Sequence, residues 1–218
     1  MPPEALILAF DTSAAHCAAA LVLGDRVLSE RTEEMATGQA ERLFPMLEAM
    51  LAEAGHGWAD LIAIGVGTGP GNFTGVRLSV SAARGLSLSL GVPALGVSSL
   101  EALAHGVERP CITSLDARQD RLYVQLFHPA HVTIPVLCDL DTLPDIPATT
   151  RPVCIGHQAG EIAARIGGRA QAQRQSLPVA IAQIAHARHA VPADPPAPLY
   201  LRPADAAPPR QAPPVILP

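Results

Sequence analysis

The opening third of the chain changes from continuous apolar runs to a helical period, which predicts three strands followed by a helix. Residues 5–10 are apolar throughout and end in a polar turn at Asp11, and the runs CAAALVL and RVLSERTE follow across short turns. Over residues 39–54 the apolar side chains instead recur three and four residues apart. We therefore expect three consecutive strands and then one amphipathic helix.

Strand and helix signals continue to alternate as far as residue 106. Residues 60–66, DLIAIGV, are apolar after the initial Asp60 and predict a strand, a glycine-rich loop follows, and residues 74–90 have apolar positions at helical spacing before a Gly-Val-Pro stop. The run PALGV predicts a further strand, and Ser98 with Glu101 forms a capping box that starts another helix. A compact module is expected to end near Gly106.

The remainder of the chain predicts a smaller second unit and a proline-rich tail. Strands are expected at PCITSLDA, RLYVQLF, HVTIPVL and PVCIG, and helices at residues 159–166 and 178–189. The composition of the tail favours extended chain, apart from PLYLR, which could dock on the first unit. We predict an N-terminal lobe at residues 1–106, a reduced second lobe at 107–191 and a tail at 192–218.

The glycine-rich stretch GVGTGPGNFTGVRLSVSAARG, residues 65–85, is either a phosphate-binding loop or a tight packing turn. The Walker pattern is missing, because all 15 basic residues are Arg and no lysine can reach a phosphate. The dinucleotide pattern fails too, since Pro70, Asn72 and Thr74 occupy the place of its third glycine. A helix N-terminus with Arg77 nearby could still bind an anion, but the packing turn is favoured.

Composition narrows the function further. The chain has 218 residues, of which 49% are apolar and 3% aromatic, and its net charge of −5 argues against unaided binding to nucleic acid. The absence of lysine excludes Schiff-base and amine-base mechanisms. No local motif such as G-x-S-x-G marks a nucleophile, so a self-contained hydrolase is not expected.

Cysteine and histidine spacing gives no metal or redox site. The four cysteines lie far apart and are expected to be buried thiols in a reducing compartment. No two of the eight histidines are four residues apart, so the H-x-x-x-H metal pair is missing and no bound metal is expected. The N-terminal apolar run is too short for a secretory signal. We expect a cytoplasmic protein without a membrane partner.

Several stretches together resemble the TsaB family, also called YeaZ. These are AFDTS, the long block from GTGPGNFTGVR to SSLEALA, LDAR and PLYLR. The resemblance implies an α/β protein with the actin-like ATPase fold, which is ribonuclease H-like and shared by Hsp70, actin and sugar kinases. That fold has two lobes built on a βββαβα unit, and the second lobe here is expected to be reduced.

The resemblance also implies a function and partners. TsaB proteins are non-catalytic subunits that bind TsaD, whose complex transfers a threonylcarbamoyl group to N6 of adenosine 37 in tRNAs that read codons starting with A. TsaE would join in a ternary complex, TsaC would supply the threonylcarbamoyl-adenylate, and the chain alone would form a homodimer. The tRNA would be contacted only indirectly. No cofactor is required by this chain, although ATP or ADP could bind at the complex interface.

The resemblance implies a partner surface but no catalytic residue and no metal ligand. The surface lies on two helices and comprises Leu43, Met46, Met50, Phe73, Arg77, Val80, Ser81, Arg84 and Leu88. The residues that would lie near a nucleotide are Asp11, Thr12, Ser13, Gly69 and Gly71. Active superfamily members have Asp-x-Gly in the first of these turns, whereas this chain has Ser13 in place of the glycine. Gln39 stands where the family usually has a histidine.

Two alternatives remain open on the sequence. One is an autonomous enzyme, either a nucleotide-dependent phosphotransferase or a peptidase of the actin-like group. The other is a homodimeric scaffold unrelated to tRNA modification. Stoichiometric metal or ATP hydrolysis by the purified chain would indicate the enzyme.

Overall fold

Two five-stranded sheets form the framework of the protein in the computed structural model, which describes residues 4–146 and 150–202. The first sheet has the order β3-β2-β1-β4-β5. Its elements, in chain order, are β1 (Leu6–Asp11), β2 (His16–Leu23), β3 (Arg26–Glu34), α1 (Gln39–Glu53), a 3₁₀ turn (Trp58–Asp60), β4 (Ala63–Gly67), α2 (Phe73–Leu90), β5 (Ala94–Val97) and α3 (Ser99–Ala104). The predicted sequence of strands and helices in the first half is confirmed.

Strand β1 lies at the centre of the first sheet and is buried on both faces. Leu6, Leu8 and Phe10 pack towards α1 and α2, while Ile7 and Ala9 pack against the other face. It pairs antiparallel with β2 and parallel with β4. A strand covered on both faces needs apolar residues at every position, which explains the unbroken apolar run.

The second sheet repeats the strand order of the first. Its order is β8-β7-β6-β9-β10, with antiparallel pairing up to β6 and parallel pairing beyond it. The elements are β6 (Cys111–Asp116), β7 (Leu122–Phe127), β8 (Val136–Cys138), β9 (Val153–Gly156), α4 (Ala159–Ile166), β10 (Arg169–Ala170) and α5 (Leu177–Arg188). Between β8 and β9 no helix lies in residues 139–146 or 150–152, whereas α1 fills this place in the first unit. The second unit is therefore the smaller one.

One helix from each unit packs on the sheet of the other. The end of α3 joins β6, β7 and β9 in one apolar cluster through Leu103 and Ala104. Helix α5 covers the face of the first sheet opposite α1 and α2, with Ile181 fully buried. An ion pair between Glu101 and Arg188 links the two helices. The lobe boundaries predicted at residues 1–106 and 107–191 stay a prediction, because each of these two segments contributes a helix that packs on the sheet of the other.

The largest error in the predicted elements concerns HVTIPVL. Only Val136–Cys138 forms β8, and Val132 makes a single bridge to Phe127. Pro135 precedes the strand and has no N–H to donate to a ladder, which limits the pairing. The tail beyond Arg202 lies outside the described residues. Among the helices of the described ranges, none combines the length and the hydropathy needed to cross a bilayer.

Candidate functional site

The glycine-rich loop packs directly on the turn that follows β1. The N–H of Asn72 donates to the carbonyl of Ser13 at 2.6 Å, and the hydroxyl of Thr12 donates to the carbonyl of Gly75 at 2.7 Å. A Cβ on Gly75 would lie 1.9 Å from the Thr12 carbonyl oxygen, and one on Gly71 would lie 2.3 Å from that of Ser13. These glycines are required because only hydrogen fits between the two backbones.

The N-terminus of α2 is closed by its own cap. The side-chain oxygen of Asn72 accepts hydrogen bonds from the N–H groups of Thr74 and Gly75 at 3.0 and 3.1 Å. These are the donors that a phosphate at this helix end would use. The geometry therefore favours a packing turn over a phosphate-binding loop.

Asp11, at the end of β1, is committed to local hydrogen bonds. Its Oδ1 accepts from the backbone N–H and the hydroxyl of Ser13 and lies 2.8 Å from Nε2 of His16, and the residue is fully buried. Its Oδ2 has no hydrogen-bond partner among the described residues and faces Gly67, where a Cβ would lie at 1.8 Å. Of the five residues predicted near a nucleotide, Thr12 and Ser13 are buried with Asp11, and Gly69 and Gly71 lie in the loop above them.

His16 is held by the same carboxylate. Burial alone would lower the pKa of His16, but the hydrogen bond and negative charge of Asp11, together with the charge of Glu34, raise it above its ordinary value. The imidazole was not singled out by the sequence, because nothing in the local pattern shows that it lies beside Asp11.

A cavity of about 1150 Å³ opens between the two units. Ser13 and His16 line it from the first unit, and Asp116, Arg118 and Tyr123 line it from the second. The carboxylate of Asp116 accepts a hydrogen bond from the N–H of Arg118 at 2.7 Å and so stabilises the left-handed backbone of that residue, whose φ is 59°.

The outer face of α2 is the exposed part of the predicted partner surface. Leu88 is 88% exposed, and Phe73 keeps 39% of its surface in water. The predicted residues on this face, which we call the α2 stripe, are Phe73, Arg77, Ser81, Arg84 and Leu88. No acidic residue occurs in α2, and neither of its arginines forms an ion pair with any described residue.

Four other predicted surface residues are wrong as direct contacts. Leu43, Met46 and Met50 of α1 are fully buried, and Val80 of α2 is 3% exposed. Each helix has one main apolar side, and that side covers the first sheet because the core gains most from it. Helical periodicity identified the apolar side of α1 correctly, but it could not show that this side packs on the chain's own sheet rather than on another protein.

The aromatic ring of Phe44, on the outer face of α1, was not among the residues predicted for the partner surface. Phe44 is 41% exposed and lies 6.4 Å from the ring of Trp58, between ring centroids. Its position one residue beyond Leu43 takes it off the buried stripe. An apolar side chain out of phase with the helical period is therefore the sequence signal that could have identified Phe44 as exposed.

Gln39, at the start of α1, donates from its side chain to the carbonyl of Met35 at 3.0 Å.

Residues from the end of the described chain join the α2 stripe. The Tyr200 ring lies 4.9 Å from the Phe73 ring, and its hydroxyl accepts a hydrogen bond from Nε of Arg77 at 2.8 Å. The N–H of Leu199 donates to the carbonyl of Thr68 at 2.8 Å. The contact partners of Leu199 and Tyr200 are more than a hundred residues away in the sequence, so no local pattern predicts them.

The chain is similar in sequence and in structure to proteins of one known family. A family model described as TsaD: tRNA N6-adenosine threonylcarbamoyltransferase matches residues 26–137, about half of the chain. The chain belongs to this family. Within it, the TsaB/YeaZ proteins are its relatives by both sequence and structure.

The TsaB resemblance is therefore confirmed at the level of the family. The Escherichia coli protein named tRNA threonylcarbamoyladenosine biosynthesis protein TsaB is 34% identical over 122 residues, covering 54% of this chain and 52% of that protein. The Bacillus subtilis protein of the same name is 35% identical over 127 residues, covering 56% and 54% respectively. The chain thus spans about half the length of the curated relatives that it matches.

Solved structures extend the likeness over most of the chain. YeaZ from Pseudomonas aeruginosa has a TM-score of 0.66 and 27% identity, covering 84% of this chain and 93% of that one. A P. aeruginosa protein described as similar to peptidase YEAZ has a TM-score of 0.69 and 28% identity, with coverages of 91% and 100%. With the repeated strand order, these likenesses establish the predicted actin-like ATPase fold for this TsaB/YeaZ family member.

The described residues of this TsaB/YeaZ family member hold no cluster suited to a metal ion. No group of three or more His, Cys, Asp or Glu side chains lies together there. The closest histidine pairs, His128 with His131 and His186 with His189, have ring centroids 5.0 and 5.5 Å apart. Neither pair has a third protein ligand of these types, and a catalytic or structural zinc site needs at least three.

Proposed function

We propose that this chain is a non-catalytic subunit that binds TsaD and supports threonylcarbamoyl transfer to N6 of adenosine 37 in tRNA. Membership of the family and the names of the TsaB relatives support a role in threonylcarbamoyladenosine biosynthesis. The observation that carries the finer proposal is the α2 stripe, which ends in two exposed apolar side chains, Phe73 and Leu88. A surface of this kind is typical of a binding site for another protein.

The composition of the α2 stripe suits a protein partner. Burying a Leu side chain completely contributes roughly 1.5–3 kcal/mol, and Leu88 makes almost none of that contribution within this chain. Phe44 on the neighbouring helix adds an aromatic side chain, which is a residue type enriched at interfaces. TsaD would cover α2 and the outer face of α1 together.

The hydrogen bonds at the glycine-rich loop favour a non-catalytic subunit over an autonomous enzyme. The donors at the start of α2 are satisfied by Asn72, and Asp11 is bound to Ser13 and His16. With no lysine in the chain, a nucleotide would find few free phosphate ligands at this loop. We propose that ATP or ADP, if involved, binds at the interface with TsaD, that TsaE joins this assembly and that tRNA contacts this acidic chain only indirectly.

Size-exclusion chromatography with light scattering tests the proposal on this chain, the cognate TsaD and their mixture. The matched variants are Leu88→Asp on α2 and Ile134→Asp on the second unit, whose side chains are 88% and 83% exposed. We expect the wild type and Ile134→Asp to form a one-to-one complex with TsaD. Leu88→Asp should elute apart from TsaD, because the variant loses the apolar contact of Leu88 and would place a charged side chain in the apolar part of the interface.

Separate elution of the wild-type chain and TsaD at micromolar concentration, with ATP present, would contradict the proposal. Hydrolysis of ATP by the purified chain would instead support the autonomous enzyme, and a stable homodimer that TsaD cannot displace would support the scaffold. A charged residue at Val80 is unsuitable for this test, because Val80 is buried in the chain's own core and the variant would lose stability first.

A further inference from the structure

The segment of residues 196–202, which we call the strap, crosses from the first unit towards the second. Pro196 is buried beside Gly96, where an added Cβ would lie 3.2 Å from the proline Cβ. The N–H of Leu199 is bound to Thr68, at the end of β4. At the far end the guanidinium of Arg202 donates to the side chain of Gln119 at 2.6 Å. The strap has no helix or strand, so these contacts hold it in place.

Tyr200 of the strap completes a three-residue cluster at the start of α2. The guanidinium of Arg77 lies 3.8 Å from the centroid of the Phe73 ring, and its Nε donates to the hydroxyl of Tyr200. The two rings are 4.9 Å apart, and Tyr200 keeps 46% of its surface exposed. Stacking and one hydrogen bond therefore fix a guanidinium that would otherwise move freely in water.

The remaining donors of Arg77 are available to a partner. Among the described residues, Nε is the only nitrogen of this guanidinium with a hydrogen-bond partner, and no carboxylate pairs with the guanidinium. A planar guanidinium held in this way can receive a carboxylate in a two-pronged hydrogen bond. Because Arg77 is already positioned, binding would cost less side-chain entropy.

A second arginine lies on the same face. Arg84 is seven residues after Arg77, about 10 Å along the helix axis, and is also exposed and without an ion pair among the described residues. In this protein of net charge −5, α2 carries only positive charge. The face therefore complements a surface with two acidic groups about 10 Å apart.

We propose that the strap is part of the partner surface, that Tyr200 positions Arg77, and that the partner presents a carboxylate to Arg77. The inference rests on the proposed function for the identity of the partner as TsaD. Tyr200 and Phe73 would contact an apolar group beside that carboxylate, and Leu88 would contact another at the opposite end of the α2 stripe.

Isothermal titration of TsaD into the full chain tests this role of the strap. We expect Tyr200→Ala to weaken binding at least tenfold, and Tyr200→Phe, which keeps the ring and loses the hydroxyl, to weaken it several-fold. Arg77→Lys should also weaken binding several-fold, since an ammonium lacks the planar fork. The double variant Tyr200→Phe/Arg77→Lys should bind no more weakly than Arg77→Lys alone, because the hydroxyl acts through the guanidinium. Val191→Ala, at a 63% exposed side chain outside the strap, is the control and should bind like the wild type.

The outcomes separate this inference from the proposed function. If Tyr200→Ala binds like the wild type while Leu88→Asp does not bind, the role of the strap is wrong and the α2 surface stands. If the effects of Tyr200→Phe and Arg77→Lys simply multiply, Tyr200 does not position Arg77. A wild-type chain that fails to bind TsaD overturns both proposals. Equal thermal unfolding of wild type and variants would show that a loss of binding is not a loss of folding.

Discussion

Two glycines of α2 differ in what surrounds them, although the sequence gives no hint of the difference. Gly75 lies against the backbone of Thr12, whereas no described atom from outside the surrounding turns of α2 lies within 4 Å of the place where a Cβ of Gly85 would be. Both are helical residues of α2. The first glycine is needed for close approach between loop and turn, and the second costs the helix conformational entropy without any packing benefit.

A pair of alanine variants tests this distinction. Gly75→Ala should lower the free energy of unfolding by about 1–3 kcal/mol, because the methyl group would push the loop away from the Thr12 carbonyl. Gly85→Ala should raise it by up to about 1 kcal/mol through helix propensity alone. Urea unfolding followed by circular dichroism measures both. Equal effects of the two substitutions would mean that the contact with Thr12 does not constrain the loop.

At the scale of an element, α1 separates the residues that stabilise the chain from those that face outward. Its buried side chains fill the space above β1 and β2, and its exposed ring, Phe44, lies beside Trp58. One helix can serve both purposes because its two faces point in opposite directions. Stability and partner binding should therefore respond to different substitutions within the same helix.

Met46→Ala and Phe44→Ala should show opposite effects on stability and on binding. Met46→Ala removes a fully buried side chain and should cost about 2–5 kcal/mol of unfolding free energy, with the Kd for TsaD unchanged while the protein is folded. Phe44→Ala should cost clearly less stability but weaken binding, since its ring is 41% exposed. Urea titration and calorimetric titration give the two quantities. Weaker binding by folded Met46→Ala, with none for Phe44→Ala, would contradict this assignment of the two faces.

For the whole molecule, the exchange of α3 and α5 joins the two sheets into one packed unit. Helix α5 is buried over most of its circumference against the first sheet, and α3 supplies part of the apolar cluster on the second. The exposed ion pair Glu101–Arg188 adds little to this linkage, because such pairs contribute roughly 0–1 kcal/mol. Neither sheet can lose its covering helix without disturbing the other unit.

The buried cysteines offer a test of this coupling. Burial raises the pKa of Cys17, in the first sheet, and of Cys154, in the second, to about 11, so both thiols should be unreactive towards a disulfide reagent at pH 8 while the protein is folded. With increasing urea, both should become reactive at the same midpoint. Mass spectrometry of the two labelled peptides gives each midpoint separately. Labelling of Cys154 at a clearly lower urea concentration than Cys17 would show that the two units unfold independently.

The sequence by itself determined the elements, because hydrophobic periodicity and turn residues act locally. The apolar run of β1, the helical spacing of α1 and the Asn72 that precedes α2 all predict structure that is present. The glycine-rich block and PLYLR also carried the family resemblance. Local signals were weaker at HVTIPVL, where Pro135 and the edge of the sheet restrict pairing to three residues.

Only the tertiary structure decided which surfaces are free. Met46 and Phe44 are both apolar residues of α1, yet one is buried and the other exposed, because the position of the first sheet selects the covered side. The contacts of Asp11 with His16, and of Tyr200 with Arg77, likewise depend on chain segments brought together by the sheets. Long-range packing has no local sequence signal, so the sequence predicted the helices of the candidate partner surface but not which of their residues would face a partner.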